Sequence, residues 1–215
     1  MKIINITNGD CFNKYISQRH AGYFIPFKEA MIEGNPLFPL FDDSFCQERT
    51  NTHMSSSALE YRKHMGDFLT VNFNEFDEIV LWFGKDAFCQ LNLLTVLAYL
   101  KQIDYKGNIY LNTIVDETNA VIKEKEKINL SNYINIYKSV FIDNKPIQTN
   151  NYYLEKAIQN YLMLKDDNGT LALLIKENSH LPKQELFELV LKETRDLGLS
   201  DTQVSKLIKK NTNKN

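Results

Sequence analysis

Three short clusters carry the side chains that could do chemistry: Asn8-Gly9-Asp10, Glu33-Gly34, and Gly84-Lys85-Asp86 with Gln90 a turn further on. Each lies at or beyond the end of an apolar run, from Ile3 to Thr7, from Tyr23 to Phe27 and from Glu78 to Phe83. Glycine at such a joint admits positive φ or the close approach of a ligand to the backbone. A helix starting there offers free amides and its positive end, which suits phosphate. Carboxylates brought to one rim either hold a hard cation such as Mg²⁺ or shift one another's pKa and work as acid and base. Arg62 could clamp a carboxylate or phosphate through two parallel bonds. Each group also has a plain structural role: Asp10 and Asp86 stand where helix N-caps belong, and Arg62 could form an ordinary surface ion pair. No full Gly-x-Gly-x-x-Gly or phosphate-loop pattern accompanies the turns.

The elements that must position these groups follow from periodicity. Lys2 to Thr7, Tyr23 to Phe27, Glu78 to Phe83 and Asn108 to Val115 read as strands, the third apolar on both faces as a central parallel strand requires. Asp10 is expected to cap a helix running to about His20, and Ser55-Ser56-Ser57 another, carrying Leu59 to Met65. Ala87 to Gln102 is expected to be a deeply packed helix, in which Asn92 braces a neighbouring loop or meets a ligand. Strand, helix and strand at this spacing make a βαβ unit. Met31 to Met54 has no clear period and is either a functional excursion or hides a short helix. Asp116 to Lys127 reads as a mixed-charge helix or loop, and Ile134 to Ile142 as strand or helix. From Asn151 onward the pattern is helical, ending in a basic tail expected to be disordered.

The expected architecture is therefore α/β, with a short, mainly parallel, Rossmann-like sheet over residues 1–148. An all-helical C-terminal subdomain over 149–215 completes it. In an open parallel sheet, ligands bind beyond the carboxyl ends of the strands, where Asp10, Glu33 and Asp86 would meet.

The 215 residues are 43% hydrophobic and 24% charged, as in a folded globular chain, and the net charge of -2 exerts no general pull on nucleic acid or anionic lipid. Three cysteines, Cys11, Cys46 and Cys89, lack paired spacing, and the longest apolar stretch is too short to span a bilayer, so a cytoplasmic protein with no membrane partner is expected. His20, His53, His64 and His180 show no zinc-ligand spacing. The stretch from Leu186 through Gly198-Leu199 to Lys210 has a helix-turn-helix outline, so DNA is a possible partner, although two packed helices with a basic end have the same outline.

Ile6-Thr7-Asn8-Gly9-Asp10, Phe27-Lys28-Glu29, Glu33-Gly34, Arg62 and Leu81 to Asn92 together resemble the bacterial domain-of-unknown-function 1835 family, over roughly residues 1–115. Asn5 stands where that family usually has histidine, Phe27-Lys28 where it has Trp-Arg, and Asn35 is inserted into its Glu-Gly-Pro. The resemblance implies the α/β fold and the rim positions rather than a reaction; if the histidine is catalytic there, the Asn5 chain has lost that activity. The residues point to a small polar, nucleotide- or phosphate-bearing ligand at the rim. Were the protein an enzyme, metal-assisted hydrolysis or transfer would follow, with carboxylates on the ion and Arg62 on the anion. The alternative is a regulatory or scaffold protein whose C-terminal helices contact DNA or a protein.

Overall fold

Along Glu78–Gly84, strand β3, alternate side chains leave opposite faces, and both faces are covered. Ile79, Leu81 and Phe83 enter the main core, whereas Val80 and Trp82 enter a smaller cluster on the other side. The same alternation sends Ile4 and Ile6 of β1 (Ile3–Asn8) into the main core and leaves Asn5 and Thr7 on the second face. The computed structural model describes residues 1–115 and 118–212.

Strands β1, β2 (Tyr23–Phe27), β3, β4 (Asn108–Val115) and β5 (Ala120–Lys127) form one sheet in the order β2-β1-β3-β4-β5. The first four pair in parallel, and β5 pairs antiparallel to β4. The fold is thus α/β with a mostly parallel sheet, as its apolar runs imply. β5 corrects the helix-or-loop expectation for residues 116–127, of which 116 and 117 lie outside the described residues. The β4–β5 register is irregular at two places, and one of them falls at Lys125, whose φ is 49° and whose amide donates to Asn112 Oδ1. At the opposite edge, β2 carries Pro26 opposite Thr7.

Helix α1 (Asp10–Ser17) lays Phe12 and Ile16 over Val80, Trp82 and Ile114. It is shorter than the sequence suggests, and its cap is Gly9 rather than Asp10, which begins the helix. The stretch between β2 and β3 holds α2 (Asp43–Arg49), α3 (Ala58–Met65) and the single turn α4 (Asp67–Thr70). Asp42 caps α2, and Ser57 caps α3 as expected. Helix α5 (Ala87–Gln102) has twelve buried residues among sixteen, so its polar members Gln90, Asn92 and Thr95 must find partners inside the protein. Its N-cap is Asp86, whose Oδ1 accepts from the Cys89 amide.

The ambiguous segment near residue 134 is helical: α6 (Tyr133–Tyr137) runs into a π-helical turn over Lys138–Ile142. α7 (Tyr152–Lys165) joins the main core through Leu154, Ala157, Ile158 and Tyr161. The last helices, α8 (Thr170–Glu177), α9 (Lys183–Glu193) and α10 (Asp201–Thr212), share a separate cluster of Leu171, Ile175, Leu186, Val190 and Val204. α10 continues through Thr212, and the rest of the expected tail lies outside the described residues. No helix among the described residues is long and apolar enough to cross a membrane.

Candidate functional site

The carboxyl ends of β1 and β2 are pinned to α5 by one buried amide. Asn92 Nδ2 donates to Asn8 Oδ1 at 2.8 Å and to the Glu29 carbonyl at 2.6 Å, while its Oδ1 accepts from the Met31 amide at 3.0 Å. Asn8 in turn donates from Nδ2 to Cys89 Sγ. Asn92 is thus the brace to a neighbouring loop that its polarity inside an apolar helix suggested, and Asn8 belongs to the same brace.

Beyond β2 this brace meets a buried ionic cluster. Glu29, 2% exposed, accepts from Arg49 Nε at 3.1 Å, Arg49 Nη2 at 2.6 Å and Tyr61 Oη at 2.5 Å. His53 Nε2 lies 3.0 Å from its Oε2, and the Ala30 amide also donates to it. The Arg49 guanidinium, fully buried, binds the carbonyls of Glu33 and Ala30 as well. Gly34 has φ 73°, and a Cβ there would strike Arg49 and Thr52, so the chain passes too close to the guanidinium for a side chain. Burial pushes the Glu29 carboxyl up, but the bond from His53 and the charge and bonds of Arg49 outweigh it, holding the pKa at about 2.

This shift has a pH consequence. A carboxyl whose pKa is depressed on folding contributes stability that is complete above its unfolded value, 4.5, and is lost as pH falls through about 2. Urea midpoints measured from neutral pH downward should fall most steeply between about pH 5 and pH 2, for a loss on the order of 3 kcal/mol. Glu29→Gln should flatten that limb; an unchanged acid profile in this variant would refute the assignment.

The second feature of the rim is a cavity of about 410 Å³ over the N-terminus of α5, lined by Lys85, Asp86 and Ala87 from the β3–α5 turn. α7 supplies Tyr152, Tyr153 and Lys156, and the 3₁₀ turn after α9 supplies Arg195 and Asp196. Lys156 Nζ holds Asp196 at 2.6 Å, and that bond, with help from Lys85 and Arg195, keeps the Asp196 carboxyl below its ordinary pKa. Tyr152 is exposed, and its ring meets Tyr153 edge-on at 5.6 Å. Gly198, in the left-handed conformation at φ 66°, closes this wall so tightly that a Cβ would strike the Asp86 carboxylate.

The residues chosen from sequence divide between these features. Asp86 lines the cavity, and Gly84 ends the strand beneath it, its carbonyl accepting from Gln90 Nε2 at 2.6 Å. Gln90 is fully buried and so braces that turn; it does not line the cavity, as a ligand contact would. Asp10 is exposed and faces Lys28 at 3.9 Å. Glu33 lines a different cavity and is held by Gln203 and Lys206 of α10. The three carboxylates therefore have separate partners, and among the described residues no three His, Cys, Asp or Glu side chains gather as a metal site. Arg62 pairs with Asp43 at 2.9 Å across the surface. Gly9 takes φ 82° with open space around it. Asn5 accepts from Trp82 Nε1 at 2.9 Å, which puts it under the sheet face covered by α1.

Sequence reasoning passed over Arg49, Tyr152, Tyr153, Lys156, Arg195 and Asp196. For Arg49 the one available signal was the length of the irregular Met31 to Met54 stretch, too long for a plain loop. In comparisons with known proteins, the chain matches no family model, no curated protein and no solved structure.

Proposed function

We propose that the protein binds a small phosphate-bearing ligand of nucleotide size in the cavity over the α5 N-terminus. The observation that carries this is the meeting, in one cavity, of Lys85 and Arg195, neither in an ion pair among the described residues, with the exposed ring of Tyr152. The cations and the positive end of α5 favour a phosphate, and the tyrosine offers a face for a base. The volume is within the range of small-molecule sites. Asp196 is already neutralised by Lys156, and Asp86 is turned onto its own helix, so the balance of the lining is positive. In this reading the sheet is Rossmann-like in its use of the strand ends, the later helices act as a subdomain closing the site, the location is cytoplasmic, and the resemblance of residues 1–115 to the unknown-function family reflects a shared rim. The rival contact with DNA has less support, because Lys206 and Lys210 of α10 are paired with Glu33 and Asp167.

Calorimetric titration with AMP, adenosine and inorganic phosphate tests the proposal. AMP should bind most tightly, and Lys85→Ala and Arg195→Ala should each weaken it by roughly tenfold or more. Tyr152→Ala should weaken AMP but not phosphate, and Asp10→Asn should change nothing. Absence of AMP binding, or binding unaffected by both cation variants, would sink the reading.

A further inference from the structure

A second cavity, of about 280 Å³, lies where the segment after β2 meets the last helices, and it is independent of the site above. Ile32, Leu164, Leu199 and Leu207 make its apolar wall, and Glu33, Gln203, Lys165, Lys206 and Lys210 its polar side. Most of that charge cancels locally. Glu33 accepts from Gln203 at 2.5 Å and from Lys206 at 2.9 Å, and Lys210 pairs with Asp167 at 2.7 Å. Lys165, half-buried at the end of α7, is left without a carboxylate among the described residues: its ammonium donates to the Gly34 carbonyl at 2.9 Å and lies 5.3 Å from the centre of the Tyr161 ring. An ammonium has three donors, and the Gly34 carbonyl takes one of them, which leaves donor capacity for an anion. Burial and the nearby charges of Lys210 and Arg49 push the Lys165 pKa down, a repulsion that an added anion would relieve.

We propose that this cavity binds a small amphipathic monocarboxylate, its carboxylate on Lys165 and its alkyl chain against Leu164, Leu199 and Leu207. One surplus positive charge beside an apolar wall matches one negative charge on a hydrocarbon body. A phosphate dianion would leave the wall unused and meet Glu33 with too much charge.

The test is calorimetry on the full chain with hexanoate, hexanol and inorganic phosphate as probes. Hexanoate should bind, and hexanol and phosphate should bind more weakly by roughly tenfold or more. Lys165→Met should lose hexanoate by a similar factor, Lys165→Arg should keep most of it, and Lys85→Ala should leave it untouched. Failure of hexanoate to bind, equal binding of hexanol, or full binding by Lys165→Met would overturn the assignment. Should Lys165→Met fail to fold, the comparison of hexanoate with hexanol on the native chain decides alone. The AMP titration reports on the other cavity, so either proposal can fail while the other stands.

Discussion

Arg49→Met should lower the unfolding free energy by about 3–5 kcal/mol, because it strips the buried Glu29 carboxylate of its permanent counter-charge and leaves it only His53. The guanidinium is fully buried and also holds the carbonyls of Ala30 and Glu33, so the loss spreads to the backbone of the segment after β2. The companion experiment separates the charge from the packing. Replacing a buried ion pair whole is often nearly neutral, so Glu29→Leu combined with Arg49→Met should cost less than the two single changes summed. The recovery should be partial, since Tyr61, His53 and the Ala30 amide also lose their acceptor. Urea denaturation of the four proteins at neutral pH gives the cycle. A single-variant cost below about 1 kcal/mol, the range of surface pairs, would mean that water reaches the cluster.

Asn92→Leu should cost about 3 kcal/mol or more despite matching the apolar character of α5, since each buried polar group left unpaired costs roughly 1–3 kcal/mol. Three groups lose their partner at once: the Met31 amide, the Glu29 carbonyl and the Asn8 side chain. The damage should be local before it is global. Amide exchange at Met31 should accelerate well beyond that of the β3 and β4 amides, whose bonds do not pass through Asn92. Uniform acceleration throughout the sheet, or none at Met31, would contradict the bracing role.

These two residues also show what the amino-acid order makes visible and what it conceals. β3, β4 and α5 stand out because their apolar residues are dense and continuous, and the expected bounds of β4 and α5 coincide with the observed ones. Asp86 was recognisable as a cap because capping acts within one turn. Asn92 was recognisable because an amide in so apolar a helix needs a partner somewhere. Arg49 and Glu29 lie 20 residues apart with no period linking them, and only the folded path of the intervening chain brings them together. The same holds for the cavity wall, where Arg195 and Tyr152 reach the β3–α5 turn from the far end of the chain. The expected meeting of Asp10, Glu33 and Asp86 treated strand ends as one point, whereas the side chains leaving those ends turn to different neighbours. β5 was missed because its charges are spread over both faces, and Val121 is its one contribution to the cluster beneath the sheet.

The two margins of the sheet bear on how copies of this chain tolerate crowding. On one side Pro26 cannot offer a main-chain donor, and on the other Lys123-Glu124-Lys125-Glu126-Lys127 presents alternating charge along a locally distorted strand. A neighbouring copy therefore meets an interrupted row of donors at one margin and a charged, distorted strand at the other, and both oppose the addition of a further strand.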